Sequence, residues 1–126
     1  MTKLYIGIFG LAGVFARYFL GWAMAKNFPT SFPLGTFTIN MLGSFLIGVV
    51  YASGVERSVL SESLRTGLMV GLLGGFTTFS SFSLETARLL ERAEYGPALS
   101  YFLLSPVLGL AAAFVGLIAT RYFIPA

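Results

Sequence analysis

The stretch GGFTTFSSFS, Gly74 to Ser83, sets five hydroxyl residues and three phenylalanines directly behind a glycine pair. TGLMVGLL precedes it, and ALSYFLLSPVLGLAAAFVGLIAT follows after a short charged gap. What so polar a run does there depends on the solvent, and composition sets the solvent. The chain is 56% hydrophobic and only 10% charged over 126 residues, with a mean hydropathy of +0.85. A soluble domain carries about a quarter charged residues. This chain has too few polar side chains to cover a surface in water, so a lipid bilayer is its natural surroundings.

Cysteine and histidine are both absent. Disulfides, thiol chemistry and zinc or haem sites built on those ligands are therefore excluded. The net charge of +3 does not point to nucleic acid, because the eight basic residues are scattered singly and form no patch.

A spanning helix needs roughly 20 mostly apolar residues. Four stretches qualify, near 4–24, 34–53, 64–87 and 98–123, which predicts one all-α domain of four transmembrane helices. The gaps hold turn and charge signals, KNFPTSFP, GVERSVLSES and RLLERAEYGP. A secretory signal peptide also fits the first stretch formally, with Lys3 ahead of it and Ala23-Met24-Ala25 behind. Arg17 interrupts that stretch, and cleavage would leave three helices, so the four-helix reading is preferred.

The basic residues divide almost evenly between the two membrane faces. Lys3, Arg57, Arg65 and Arg121 fall on one, and Lys26, Arg88 and Arg92 on the other. The positive-inside rule cannot choose an orientation from such a count. A small protein with few charges explains this, and so does insertion in both orientations with antiparallel pairing. Arg17, well inside the first span, also has two readings: a side chain snorkelling toward headgroups, or an electropositive vestibule that draws anions.

No Asp or Glu lies near the midpoint of a span; Glu85 is toward the end of the third. Proton-coupled transporters generally use such a carboxylate. A proton-coupled antiporter is therefore poorly equipped, whereas a passive anion pathway needs no such group. In GTFTINMLGSFLIG of the second span, Asn40 shares a helix face with Thr36 and Gly43. It suits interhelical packing, and its amide could equally donate to a passing anion.

The opening stretch falls at the middle of the third span. Gly67, Gly71, Gly74 and Gly75 form a small-residue stripe. The pair Gly74-Gly75 is expected to weaken the helix, at a cost of about 1 kcal/mol per glycine. The hydroxyls that follow can then re-satisfy freed backbone groups. Freed carbonyls are also good ligands for a hard cation. Phe79 and Phe82 share a face, where they could pack or offer positive ring edges to an anion.

GLLGGFTTFSSFSLE closely resembles the signature GGxTTFSTFS of the CrcB/Fluc fluoride channel family. Ser81 replaces the usual threonine and keeps the hydroxyl. GTFTIN in the second span, the arginine of the first span and the four-helix length agree. The resemblance implies an antiparallel dual-topology homodimer in the cell inner membrane, with two fluoride pores and a third helix broken at its middle. It implies one structural Na+ held by backbone carbonyls of Gly74 and Thr77, and not transported. Asn40, Phe79, Phe82, Ser80, Tyr101 and Ser105 would line the pore, and Arg17 would be structural or serve the vestibule. Gly109 and Ala113 stand where some members carry hydroxyls, and Pro106 interrupts the same helix. The implied role is escape of fluoride that entered the cell as HF.

Two other classes are a small four-helix multidrug-type exporter and a non-transporting membrane subunit. The exporter needs a carboxylate in its first helix, which this chain lacks. The polar run argues against the second.

Overall fold

The computed structural model describes residues 1–126. It is all-helical, and four spans are long and apolar enough to cross a membrane: Thr2–Asn27, Leu34–Glu56, Glu62–Glu91 and Tyr95–Phe123. Each is as long as, or longer than, the apolar stretch that marks it. The extra turns carry charged residues such as Glu62, Arg88 and Glu91, where an apolar reading stops but helical hydrogen bonding continues.

Helix α1 is Thr2–Asn27. Helix α2, Leu34–Tyr51, runs on into a π-helical turn at Ala52–Glu56. The third span is composite. It contains α3 (Glu62–Thr66), a π-helical stretch Gly67–Leu73, the single turn α4 (Gly74–Phe76) and then α5 (Phe79–Glu91). Helix α6, Tyr95–Phe123, continues through Pro106.

Local chemistry accounts for the ends. Ser61 caps α3 by accepting the Leu64 N–H. Helix α5 closes on a left-handed residue, Ala93, with φ 58°. There the Glu94 N–H reaches back to the Leu89 carbonyl and the Ala93 N–H to that of Leu90, the hydrogen-bond pattern of a Schellman cap. Helix α6 starts at once, so α5 and α6 form a tight antiparallel hairpin.

Packing depends on bare glycines. A Cβ on Gly71 would lie 2.6 Å from the Ile6 carbonyl oxygen, and one on Gly75 would lie 2.7 Å from that of Gly10. Both let the third span lie directly on the α1 backbone. Gly48 and Gly116 do the same for α2 and α6, each facing a carbonyl of the other helix. Gly74 departs from the expected stripe. Its nearest neighbour would be 3.7 Å away, so it takes no part in the α1 contact.

Only 17 of 126 residues are buried. Leu4, Ile8, Leu11 and Phe15 are exposed along α1, as lipid-facing side chains must be. The tightest core is Leu89, Ala98 and Tyr101, with Phe32, Phe37 and Phe82 packed around it. At one end of the bundle Thr2 hydrogen-bonds Ser63, and Arg121 makes a two-pronged pair with Glu56. Arg57 donates to the Ile124 carbonyl and Arg65 to that of Gly54. Arg57, Arg65 and Arg121 are thus tied to helix termini.

Candidate functional site

Two residues leave the helical path in the third span. Thr77 has φ −84° and ψ 159°, and Thr78 has φ −153° and ψ 120°. The chain opens three residues past Gly74, not at the glycine pair. Gly74 itself is helical, with φ −63° and ψ −37°. The pair serves other ends: Gly75 admits α1, and Gly74 stays bare beside a cavity.

Hydrogen bonds define the opening. The Thr78 N–H donates to Asn40 Oδ1 at 2.9 Å, and Asn40 Nδ2 donates to the Thr78 carbonyl at 3.0 Å. Thr78 Oγ1 caps α5 by accepting the Ser81 N–H at 3.2 Å. Thr77 Oγ1 donates back to the Leu73 carbonyl at 2.8 Å. Helix α2 comes this close because Gly43 has no side chain: a Cβ there would overlap the Thr77 methyl.

One consequence concerns the carbonyls. In an unbroken helix the Gly74 carbonyl would accept the Thr78 N–H, and the Thr77 carbonyl would accept the Ser81 N–H. Asn40 Oδ1 and Thr78 Oγ1 now hold those two donors. Gly74 and Thr77 are therefore left with acceptors that have lost their helical partners. Their chemistry, neutral carbonyl oxygen, fits a hard monovalent cation. No cluster of three acidic, cysteine or histidine side chains could hold a metal instead.

A cavity of about 440 Å³ lies against the opening. Asn40, Gly74, Thr77, Thr78, Phe79 and Phe82 border it, with Ser44, Ser105 and Gly109 across from them. The Phe79 and Phe82 rings are 5.8 Å apart, tilted by 45°. Phe82 is wedged edge-on against Tyr101 at 5.0 Å, whereas Phe79 is 79% exposed. Ser105 Oγ is buried and has no hydrogen-bond partner.

The other candidates lie elsewhere. Ser80 is exposed, its hydroxyl 3.4 Å from that of Thr78, and does not border the cavity. Tyr101 is fully buried and likewise off the cavity wall. Its hydroxyl donates to Glu85 Oε2 at 2.8 Å, while Thr36 Oγ1 donates to Glu85 Oε1 at 2.6 Å. Arg17 is partly buried on α1 and has no carboxylate partner, since the one ion pair is Arg121–Glu56.

Sequence reasoning placed none of Thr78, Ser44 and Glu85 among the site residues. Glu85 had a legible signal, being an ionisable residue within a span. Thr78 had none that set it apart from its four hydroxyl neighbours.

Comparison with known proteins agrees in extent. Residues 4–117 match the family model described as CrcB-like protein, Camphor Resistance (CrcB). A protein of Geotalea daltonii is 42% identical over 96% of this chain and 98% of its own length. One from Geobacter sulfurreducens is 42% identical over 95% and 97%. One from Caulobacter vibrioides is 44% identical over 89% of each. All three bear the name Fluoride-specific ion channel FluC. A family match over most of the chain, with relatives covered almost end to end, leads to one conclusion: this multi-pass membrane chain belongs to the CrcB-like family.

Proposed function

We propose that the chain is a passive, fluoride-selective channel of the cell inner membrane, working as an antiparallel homodimer with two pores. The observation that carries this reading is the Asn40 clamp on Thr78 beside the cavity. A carboxamide has two N–H donors. One holds the Thr78 carbonyl, which leaves the second for an anion. The names of the relatives supply the ion.

In the proposed path, fluoride exchanges water for hydroxyl, amide and aromatic-edge donors in turn. Phe79 and Phe82 offer the positive edges of their rings. No single site holds the ion deeply enough to trap it, as conduction requires. Ser80, exposed, would join the path where the second copy completes it, and Tyr101, fully buried behind Phe82, would bear on the path through that ring. Arg17, unpaired, would contribute a positive field at the vestibule.

A second copy answers a physical problem of the lone chain. Gly74 and Ser80 are exposed at the middle of a span, as is Phe79. Polar groups and freed carbonyls there cannot face lipid without a cost of several kcal/mol each. Pairing through this face would cover them. It would also bring two copies of the Gly74 and Thr77 carbonyls together, where they would hold one structural Na+ that gives those oxygens the partner they lost. The near-even basic count suits insertion in both orientations.

The test is ion efflux from liposomes reconstituted with the purified protein. Rapid fluoride release with negligible chloride release is expected. No fluoride release from a folded dimer would overturn the reading.

A further inference from the structure

Four hydroxyls in the spans fold back on their own helix. Ser53, Thr77, Ser83 and Thr86 all donate to a carbonyl four residues earlier, the usual way to satisfy a hydroxyl in an apolar helix. Ser105 does not. Its Oγ is buried, only 8% of the residue is exposed, and it has no partner. Such a group in a membrane protein is costly unless something binds it. Ser105 borders the 440 Å³ cavity, and so does Ser44 of α2.

Gly109, one turn beyond Ser105 on α6, governs access to Ser44. A Cβ built on Gly109 would lie 3.5 Å from Ser44 Oγ and 3.4 Å from Met41 Cε. Those are ordinary contact distances, so a small side chain fits there without strain. Its effect would be to cover the Ser44 hydroxyl. The bare glycine leaves that hydroxyl open to the cavity.

We infer that Ser44, together with Ser105, forms a two-hydroxyl anion subsite between α2 and α6, open where Gly109 carries no side chain. The inference rests on the channel reading above and adds to it a residue on a different helix. Two O–H donors suit a small, strongly hydrogen-bonding anion that must replace lost water. A carboxylate there would repel it, and none borders the cavity.

The experiment is fluoride efflux from liposomes for four proteins: wild type, Ser44→Ala, Gly109→Ala and the double variant Ser44→Ala/Gly109→Ser. Ser44→Ala is expected to slow efflux about tenfold, the loss of one hydrogen bond to a charged group. Gly109→Ala should slow it comparably by covering Ser44. The double variant returns a hydroxyl to the same space from the opposite helix and should recover most of the rate. A structural role for Ser44 would not produce that rescue. Wild-type efflux from Ser44→Ala, or a double variant as slow as the single one, would overturn the subsite and leave the channel reading intact. Absence of efflux from the wild type would overturn both.

Discussion

Asn40 and Thr78 exchange two hydrogen bonds, side chain to backbone, at 2.9 and 3.0 Å. The carboxamide of α2 thereby replaces the helical partners that Thr78 would have had. It stands in for a missing turn of helix and holds open a gap that would otherwise close.

Asn40→Asp tests this clamp with almost no change in shape. The carboxylate still accepts the Thr78 N–H but faces the Thr78 carbonyl with an acceptor, and it places negative charge by the cavity. Fluoride efflux is expected to fall at least about tenfold, and the thermal midpoint in detergent to drop, because the lost hydrogen bond leaves a buried acceptor unpaired. Unchanged values for both would contradict the clamp.

Phe82 is held by Tyr101 and Phe102 as well as by Phe79. Phe82→Ile keeps the apolar bulk and removes the positive ring edge. Efflux is expected to be abolished or slowed by more than an order of magnitude while gel filtration still shows a folded dimer. Wild-type flux from that variant would remove the phenylalanines from the path.

Gly43 and Thr77 form a space-for-space pair. Gly43→Ala would overlap the Thr77 methyl, an overpacking worth about 1–3 kcal/mol. Both stability and efflux should fall. Adding Thr77→Ser removes the methyl but keeps the hydroxyl, and should restore both. A double variant as impaired as Gly43→Ala alone would show that the overlap is not the cause.

The freed carbonyls of Gly74 and Thr77 suit a small hard cation and not a large one. Replacing sodium by a bulky organic cation such as N-methylglucamine should weaken efflux or dimer assembly, read by electrode and by cross-linking. Complete indifference to the cation would count against a sodium site.

Composition and periodicity were enough for the number of spans. A chain 10% charged has no soluble fold open to it, and four apolar stretches of membrane length leave one architecture. The resemblance of residues 71–85 to a known signature was legible too, since Phe recurs there every third residue among Thr and Ser. The ends of the spans were less legible, because helical hydrogen bonding runs on past the apolar residues that mark a span. The exact place of the opening was not legible. Glycine propensity argued for Gly74-Gly75, but propensity is weak beside tertiary bonding, and the Asn40 clamp sets the gap at Thr77–Thr78.

The sequence by itself determined solvent, helix count and residue inventory, because those follow from local hydrophobicity and from which side chains exist. Only the tertiary structure decided which polar groups meet. Asn40 and Thr78 are 38 residues apart, and Thr36 and Glu85 are 49 apart. Nothing local links them. Tertiary packing also separated the two serines of interest from their fellows, leaving Ser105 without a partner and Ser44 uncovered by Gly109. Hydroxyls look alike in a sequence; whether one is satisfied by its own helix or left facing a cavity depends on how closely the neighbouring backbone comes.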